Sequence, residues 1–445
     1  MRNVFENKKI FILGMAKSGY EAAKLLAQHQ NQVFITDRKE QDVQQVQELE
    51  QAHVVVEVLE HPEEKLDESY QVVVKNPGIR MDHPVVIKAK ELQIPVVNEM
   101  EVAYHFLPKD ITILGVTGSN GKTTTTTLLY EMLKEEGKRV HLGGNIGYPL
   151  CSLLPQIQAG DSLVLEISDH QLMDLHDFKT NISILTNLSE VHLDFHGSYE
   201  HYKQTKKKIF AHHTAKDVAI LNQGNQDVME LTNDIPSKKI TFSAKVPADC
   251  QLVEGKLLYQ DQILLSIDDI KLQGKHNIEN CMCAILAALQ VGVSKESICQ
   301  VLTHFGGVEH RLEYVRTVNG VDYYNDSKAT NVESTIIALS SFERPTILLL
   351  GGLDRGHSFE PLNEYVGQVK QIVAFGETKD RIAIWAKEQS LPCIITNTLE
   401  EAMRKVGSVA VSGDVVLLSP ACASWDQYQR FEDRGDEFKA FVQKI

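Results

Sequence analysis

A chain of 445 residues exceeds what one hydrophobic core supports and predicts two to four domains. With 60 acidic against 45 basic residues there is no cation excess to neutralise a phosphate backbone, which excludes a general nucleic-acid binder. No apolar stretch approaches the length of a bilayer span, the opening Met-Arg-Asn-Val-Phe-Glu is no signal peptide, and the seven cysteines form no C-x-x-C pair, so a cytoplasmic protein with reduced thiols and no membrane partner is expected.

The apolar run 9–13 predicts a buried parallel strand. Gly14-Met-Ala-Lys-Ser-Gly19 follows, then a helix over 20–28 and a second strand over 32–36 that ends at Asp37. This is a βαβ opening with an acid at the end of its second strand, as in dinucleotide-binding folds. Ala16 replaces the middle glycine and crowds the closest approach to a pyrophosphate. The pattern is therefore weak for NAD and favours a nucleotide or nucleotide-sugar at the strand ends over a plain turn. A strand over 70–75 runs into Asn76-Pro-Gly-Ile79, a tight turn with backbone N–H groups available to an anion.

A boundary falls near 100–110, and the next strand, 111–115, enters Thr117-Gly-Ser-Asn-Gly-Lys-Thr123 ahead of a helical apolar rhythm. Strand, glycine loop and helix are the context of a phosphate-binding loop. Gly115, Thr117, Gly118, Ser119, Asn120, Gly121, Lys122, Thr123 and Thr124 are predicted to hold a nucleoside triphosphate. Lys122 would reach its β- and γ-phosphates, and the Thr123 hydroxyl would take one position on Mg²⁺. Val116 stands where the general pattern has its first glycine. Glu166 lies near the end of the apolar strand 162–167; a carboxylate there either holds Mg²⁺ or faces solvent, and its apolar neighbours favour the metal.

A second Gly/Asn turn ends at Asn145. After a strand over 181–187, His192, Asp194 and His196 alternate. If extended they make a three-ligand metal site, but one histidine aiding Mg²⁺ is the stronger expectation. Tyr202-Lys-Gln-Thr-Lys-Lys-Lys-Ile209 is predicted helical, with most of its lysines solvated. Adjacent cations lower a lysine pKa, and an uncharged amine is a nucleophile or takes up CO₂ as a carbamate. Short alternating strands over 217–270 predict an antiparallel insertion. Asn277 and Asn280, one turn apart at a helix start, fit either an adenine or ribose contact or helix caps.

A third unit begins near 305. A strand leading into a polar turn over 321–331, another with a glycine-rich exit over 345–356, and strands over 371–375, 392–396 and 415–418 alternate with helices and give a further open α/β sheet. Ser424, after the last strand, either caps the following helix or meets a carboxylate at its N-terminus.

Thr117-Gly-Ser-Asn-Gly-Lys-Thr123, His276-Asn-Ile-Glu-Asn280, His310-Arg-Leu-Glu313, Asn325-Asp-Ser-Lys-Ala-Thr-Asn331 and Leu418-Ser-Pro-Ala-Cys-Ala-Ser424 occur in one order along nearly the whole chain. Together they resemble the Mur ligases, the ATP-dependent amino-acid-adding enzymes of bacterial peptidoglycan synthesis. The resemblance implies an α/β protein of three domains: a Rossmann-like domain for a UDP substrate (1–104), a central P-loop ATPase (105–307) and a Rossmann-like domain for the incoming amino acid (308–445). It implies that a substrate carboxylate is phosphorylated by ATP and that an amine displaces phosphate from the acyl phosphate. The last motif, with Phe431-Glu-Asp-Arg-Gly435 after it, implies D-glutamate as the amine and UDP-N-acetylmuramoyl-L-alanine as the acceptor.

The resemblance also implies roles. Thr123 and Glu166 match a first Mg²⁺ site, and His192 with a CO₂-carbamylated Lys206 a second. Lys122, His192, Lys206 and His310 match catalytic positions, and Asn277, Asn280, Arg311 and Asp326 ATP contacts. Ser18, Asp37, Arg38, Asn76, Gly78 and Asn145 fall where the UDP substrate is expected; Lys328, Thr330, Arg355, Ser424 and Phe431 where D-glutamate is. A monomer is expected. The chain departs from the family at Ser168-Asp-His-Gln171, often Ser-Ser-Phe-Gln, at Val191, where Asp is common, and at Gly352-Leu-Asp-Arg-Gly356, where a Gly-Asp-x-Lys-Gly form is usual.

Overall fold

The computed structural model describes residues 4–191, 193–272 and 274–445. It contains three α/β domains, each built on its own sheet. The first sheet is parallel and comprises β1 (Lys9–Leu13), β2 (Gln32–Asp37), β3 (Val55–Val58), β4 (Val72–Lys75) and β5 (Val96–Val97), in the order β3-β2-β1-β4-β5. The order reverses at β1, which opens a crevice at the carboxyl ends of β1 and β4. The helix Lys17–Ala27 begins three residues before the predicted start at 20. Gly14, at φ +94°, makes the turn, while Gly19 lies inside the helix, where a Cβ would come 2.0 Å from the Gly14 carbonyl oxygen. The second glycine therefore serves close packing of helix on loop.

The central sheet has nine strands: β6 (Thr112–Thr117), β7 (Val140–Gly144), β8 (Ser162–Glu166), β9 (Ile182–Leu185), β10 (Val218–Asn222), β11 (Lys238–Ser243), β12 (Cys250–Val253), β13 (Lys256–Tyr259) and β14 (Gln262–Ser266). Their order is β14-β13-β12-β11-β10-β9-β6-β8-β7. β6 is thus covered on both edges by β8 and β9, and residues 113–117 are buried. The antiparallel insertion predicted over 217–270 is corrected: β10, β11 and β12 continue the parallel sheet, and only β12–β14 form an antiparallel meander at its edge. Val218–Asn222 is a nearly continuous buried run, as expected of a strand covered on both faces, whereas the strands from Lys238 onward carry exposed positions.

The third sheet comprises β15 (Glu313–Val318), β16 (Val321–Asn325), β17 (Thr346–Gly351), β18 (Val369–Phe375), β19 (Cys393–Ile395) and β20 (Val415–Leu418), in the order β15-β16-β20-β17-β18-β19. Only the β15–β16 hairpin is antiparallel. The carboxyl ends of neighbouring β16, β20 and β17 gather three polar loops. The chain divides into two compact units: one joins everything through Asp269 with Ile278–Thr303, and the other joins Ile270–Asn277 with His304–Ile445. The first unit holds two sheets because one apolar core runs from Ile10 and Ala22 through Met100 to Ile113 and Leu163. Among the described residues no helix is long and apolar enough to cross a membrane.

Candidate active site

The phosphate-loop motif sits between β6 and the helix Lys122–Glu135. Gly118 (φ +143°) and Gly121 (φ +81°) are required there, since a Cβ would lie 2.0 Å from Thr186 Oγ1 at the first and 2.1 Å from Asn280 Oδ1 at the second. The loop is pinned from the end of β9: Asn187 O accepts from Ser119 N at 2.9 Å, and Thr186 Oγ1 donates to Asn120 O at 2.6 Å. Lys122 Nζ folds over the loop and donates to the carbonyls of Gly118 (2.9 Å) and Ser119 (2.8 Å). Thr123 and Thr124 are buried in the first helical turn, while Gly115 lies within β6, packed on Thr180.

Sheet register brings the acid to this loop. Glu166 pairs with Val116 on one side and Gly144 on the other, and its Oε1 accepts from Asn145 Nδ2 at 2.7 Å. The carboxylate is buried rather than at a solvated strand end. Lys206 comes from the helix Tyr199–Lys207, and its side chain is wholly buried. Its Nζ donates to Thr117 Oγ1 (3.2 Å) and Asp169 Oδ1 (3.3 Å) and lies 5.4 Å from the Tyr202 ring centre. Burial, and next the nearby Lys122 cation, push the Lys206 ammonium down to about 7, although Asp169 and Glu166 oppose them. The amine is therefore far easier to neutralise than an exposed lysine.

His192 lies outside the described residues. The run 193–196 is helical, so alternate positions do not share a face and the extended three-ligand site is excluded for it. His196 Nε2 instead pairs with Asp169 Oδ2 at 2.8 Å and so helps to hold the acid that holds Lys206. Asp169 had been legible only as a departure from the family pattern. Asn280 abuts Gly121, while Asn277 is buried at the start of the same helix.

In the N-terminal domain a cavity of about 570 Å³ opens at the predicted crevice, lined among others by Gly14, Thr36, Asp37, Arg38, Asn76 and Arg80. Asp37 Oδ2 accepts from Met15 N at 2.8 Å, and Asn76 Nδ2 donates to Ser18 Oγ at 3.3 Å. The Gly78 N–H turns inward to Asn76 Oδ1 at 3.2 Å. The buried Thr36 hydroxyl at the cavity wall has no hydrogen-bond partner among the described residues.

In the second compact unit the three strand-end loops meet. Asp326 is buried and accepts from Ser419 Oγ (2.7 Å) and Leu312 N (3.1 Å); burial pushes its carboxyl up to about 7. Arg311 has a buried Nε with no hydrogen-bond partner among the described residues. His310 Nδ1 accepts from Asn325 Nδ2 at 3.0 Å, which leaves the proton of a neutral ring on Nε2. His310 and the Lys328 ammonium both lie against Phe431, at 6.1 Å between rings and 5.8 Å to the ring centre. Thr330 N donates to Lys328 O at 2.9 Å. Arg355 stacks on the exposed Trp425 at 4.8 Å, while Asp354 is engaged by Arg381.

Ser424 does not cap a helix. Six residues separate it from the helix Phe431–Lys444, whose N-cap is Arg430, and its buried hydroxyl has no hydrogen-bond partner among the described residues. The sequence gives Arg434 no role, yet it is the largest fully buried side chain among the described residues. Its guanidinium donates to Ser327 O (2.8 Å), Ser327 Oγ (3.0 Å) and Cys422 O (3.1 Å), tying together two loops that carry Lys328 and Ser424. Its signal in the sequence was its place in Phe431-Glu-Asp-Arg-Gly435, which carried no role for it.

This combination of phosphate loop, buried strand-end acid and buried lysine, with a polar pocket at the ends of a separate parallel sheet, defines an ATP-using ligase of three domains. Family models match in the same order: a Mur ligase MurD-like N-terminal domain over 8–98, a Mur ligase middle domain over 116–288 and a Mur ligase glutamate ligase domain over 310–422. The chain is 44% identical to the UDP-N-acetylmuramoylalanine--D-glutamate ligase of Geobacillus sp. (strain WCH70) over 99% of its own length and 98% of the relative's. It is 43% identical to the ligase of the same name from Geobacillus kaustophilus, with the same coverage of both chains. Among solved structures the fold resembles the UDP-N-acetylmuramate-alanine ligase MurC of Thermotoga maritima (TM-score 0.62, 18% identity, 98% of this chain and 99% of that one). It also resembles MurF of Acinetobacter baumannii (TM-score 0.60, 15% identity, 94% and 92%). The chain belongs to the Mur ligase family.

Proposed function

We propose that this protein is the ligase that adds D-glutamate to UDP-N-acetylmuramoyl-L-alanine at the expense of ATP, in peptidoglycan precursor synthesis. A carboxylate is a poor electrophile at neutral pH until one oxygen becomes a leaving group. Transfer of the γ-phosphoryl group to the L-alanyl carboxylate supplies that leaving group, and the D-glutamate amine then displaces phosphate through a tetrahedral intermediate.

One observation carries the ligase reading over a plain ATPase switch. A buried acid, Glu166, and a buried, readily neutralised lysine, Lys206, flank the same phosphate loop. Hydrolysis alone needs no such lysine. The Thr123 hydroxyl and the Glu166 carboxylate are oxygen donors of the kind Mg²⁺ takes, and a carbamate on Lys206 would add another with His192. Magnesium bound there would neutralise charge on the transferring phosphoryl group. We assign two ions on this basis. Lys122 would guide the γ-phosphate, and Asn145 holds Glu166 in orientation. Asn277, Asn280, Arg311 and Asp326 would serve ATP, and Ser18, Asp37, Arg38, Asn76 and Gly78 the UDP moiety. The Ser424 hydroxyl, buried and without a hydrogen-bond partner among the described residues, with Lys328, Thr330, Arg355 and Phe431, would receive D-glutamate. We place the domain boundaries at 104/105 and 307/308 and read the protein as a cytoplasmic monomer.

The test is phosphate release with ATP, Mg²⁺ and UDP-N-acetylmuramoyl-L-alanine, adding D-glutamate, L-glutamate, L-lysine or meso-diaminopimelate in turn. Release with D-glutamate alone is expected. Release with another of the four moves the chain to a sister ligase, and turnover that needs neither substrate returns it to the switch.

A further inference from the structure

The short helix Asp169–Met173 is gripped at both ends. At its start Asp169 meets Lys206 Nζ at 3.3 Å and His196 Nε2 at 2.8 Å. Just past its end Asp174 is paired with Lys75 Nζ at 2.9 Å, the two side chains only 2% and 1% exposed. Lys75 is the last residue of β4, in the N-terminal domain. The same ammonium donates to Ile79 O at 2.8 Å and Asn76 O at 3.4 Å, and so also fixes the turn whose Asn76 and Ile79 line the 570 Å³ cavity. Asn98 Nδ2 adds a second tie to this helix, at Gln171 O, 2.7 Å away.

A sealed ion pair is a weak stabiliser, because desolvating both charges offsets most of their attraction. Its strength is geometric: neither partner can move without stranding the other. Here the partners belong to two different sites. Lys75 shapes the floor of the nucleotide cavity, and Asp174 terminates the helix whose first residue holds Lys206.

We propose that the Lys75–Asp174 pair is a positioning device that couples the N-terminal nucleotide cavity to the Lys206 pocket through the helix Asp169–Met173. The inference rests on the reading of that cavity as the UDP-substrate site. Filling the cavity orders the turn at 76–79, the turn holds Lys75, and Lys75 holds the end of the helix. The lysine pocket is thereby stiffened when the acceptor is in place. Neither residue is assigned contact with substrate.

The probe is UDP, which carries the nucleotide without the sugar and peptide. Hydrogen exchange is read on peptides covering 168–175 and 199–207, and calorimetric titration gives the affinity. In the unaltered protein UDP is expected to slow exchange severalfold in both peptides. The double variant Lys75→Met/Asp174→Leu removes both charges together and keeps the volume, so it melts near the unaltered protein; each single change leaves one buried charge alone and melts lower. In the double variant UDP still binds, about threefold to tenfold more weakly, and exchange at 168–175 no longer responds. Lys75→Arg keeps the charge and the response. A double variant that responds as the unaltered protein does overturns the coupling. So does an unaltered protein that binds UDP with no change at 168–175, an arm that needs no variant. If UDP fails to bind the unaltered protein at all, the nucleotide reading of the cavity falls and the coupling falls with it.

Discussion

Lys206 and Arg434 are equally sealed from water, each with no exposed surface, and they are held in opposite ways. Lys206 has a hydroxyl and a carboxylate in reach and a second cation, Lys122, close enough to repel it. Its charge is therefore precarious. Arg434 donates to carbonyl oxygens and one hydroxyl, with no carboxylate among its hydrogen-bond partners. A guanidinium keeps its proton under such conditions, so the fork serves as a brace between loops. Equal burial has left an easily neutralised amine in one domain and a fixed strut in another. Burial, helped by a nearby cation, brings the amine down to about 7, whereas the guanidinium starts higher and, also lowered by burial, stops at about 10 amid carbonyl groups.

The sharpest way to break this contrast is Lys206→Ala. If the amine is chemical, phosphate release should fall by a factor on the order of 10²–10³, and short carboxylic acids should restore part of it. Full activity without it would make Lys206 another strut. Arg434→Met should instead act on structure, costing about 3 kcal/mol of stability in urea melts and raising the KM for D-glutamate. Arg434→Lys should recover little, because an ammonium cannot span the same acceptors.

Ser424→Ala sharpens the contrast within the braced pocket. Removing a hydroxyl that lacks a hydrogen-bond partner among the described residues should leave melting nearly unchanged, while the KM for D-glutamate rises about tenfold, the worth of a hydrogen bond to a charged group. A fall in stability with KM unmoved would return Ser424 to a structural role.

The smallest effect comes from a buried acid. Glu99 is sealed, accepts from the Cys151 N–H, and is pushed up to about 7 by burial. With its folded pKa above its unfolded one, the neutral acid stabilises the fold fully below about 4.5, and that contribution is lost as pH rises through about 7. Glu99→Gln, which stays neutral, should therefore melt higher than the unaltered protein at pH 8 and no higher at pH 5. Equal shifts at both pH values would exclude a burial-driven titration.

The phosphate loop was legible because its chemistry is local: glycine, lysine and threonine stand in one turn between a strand and a helix. The buried lysine was legible in part. Lys203, Lys206, Lys207 and Lys208 look alike by composition, and only the resemblance singled out Lys206; the structure places it on the inward face with Tyr202 and Ile209. The roles of Asp169 and Arg434 were not legible, since their partners come from 37 and 107 residues away. The edge meander was misjudged in extent because short parallel strands and antiparallel ones share the same residues. Distinguishing them takes the pairing partner.

The position of β6 has a consequence for how the chain is made. The strand that carries the phosphate loop pairs with β8 and β9, not with anything synthesised before it. At about 5–20 residues per second, ribosomes need several seconds to travel from Thr117 to Leu185, and the apolar segment waits through them without its final neighbours. A nascent chain that stops short of β9 presents an open, apolar sheet edge. The most functionally loaded strand is therefore also a point of exposure to aggregation during translation.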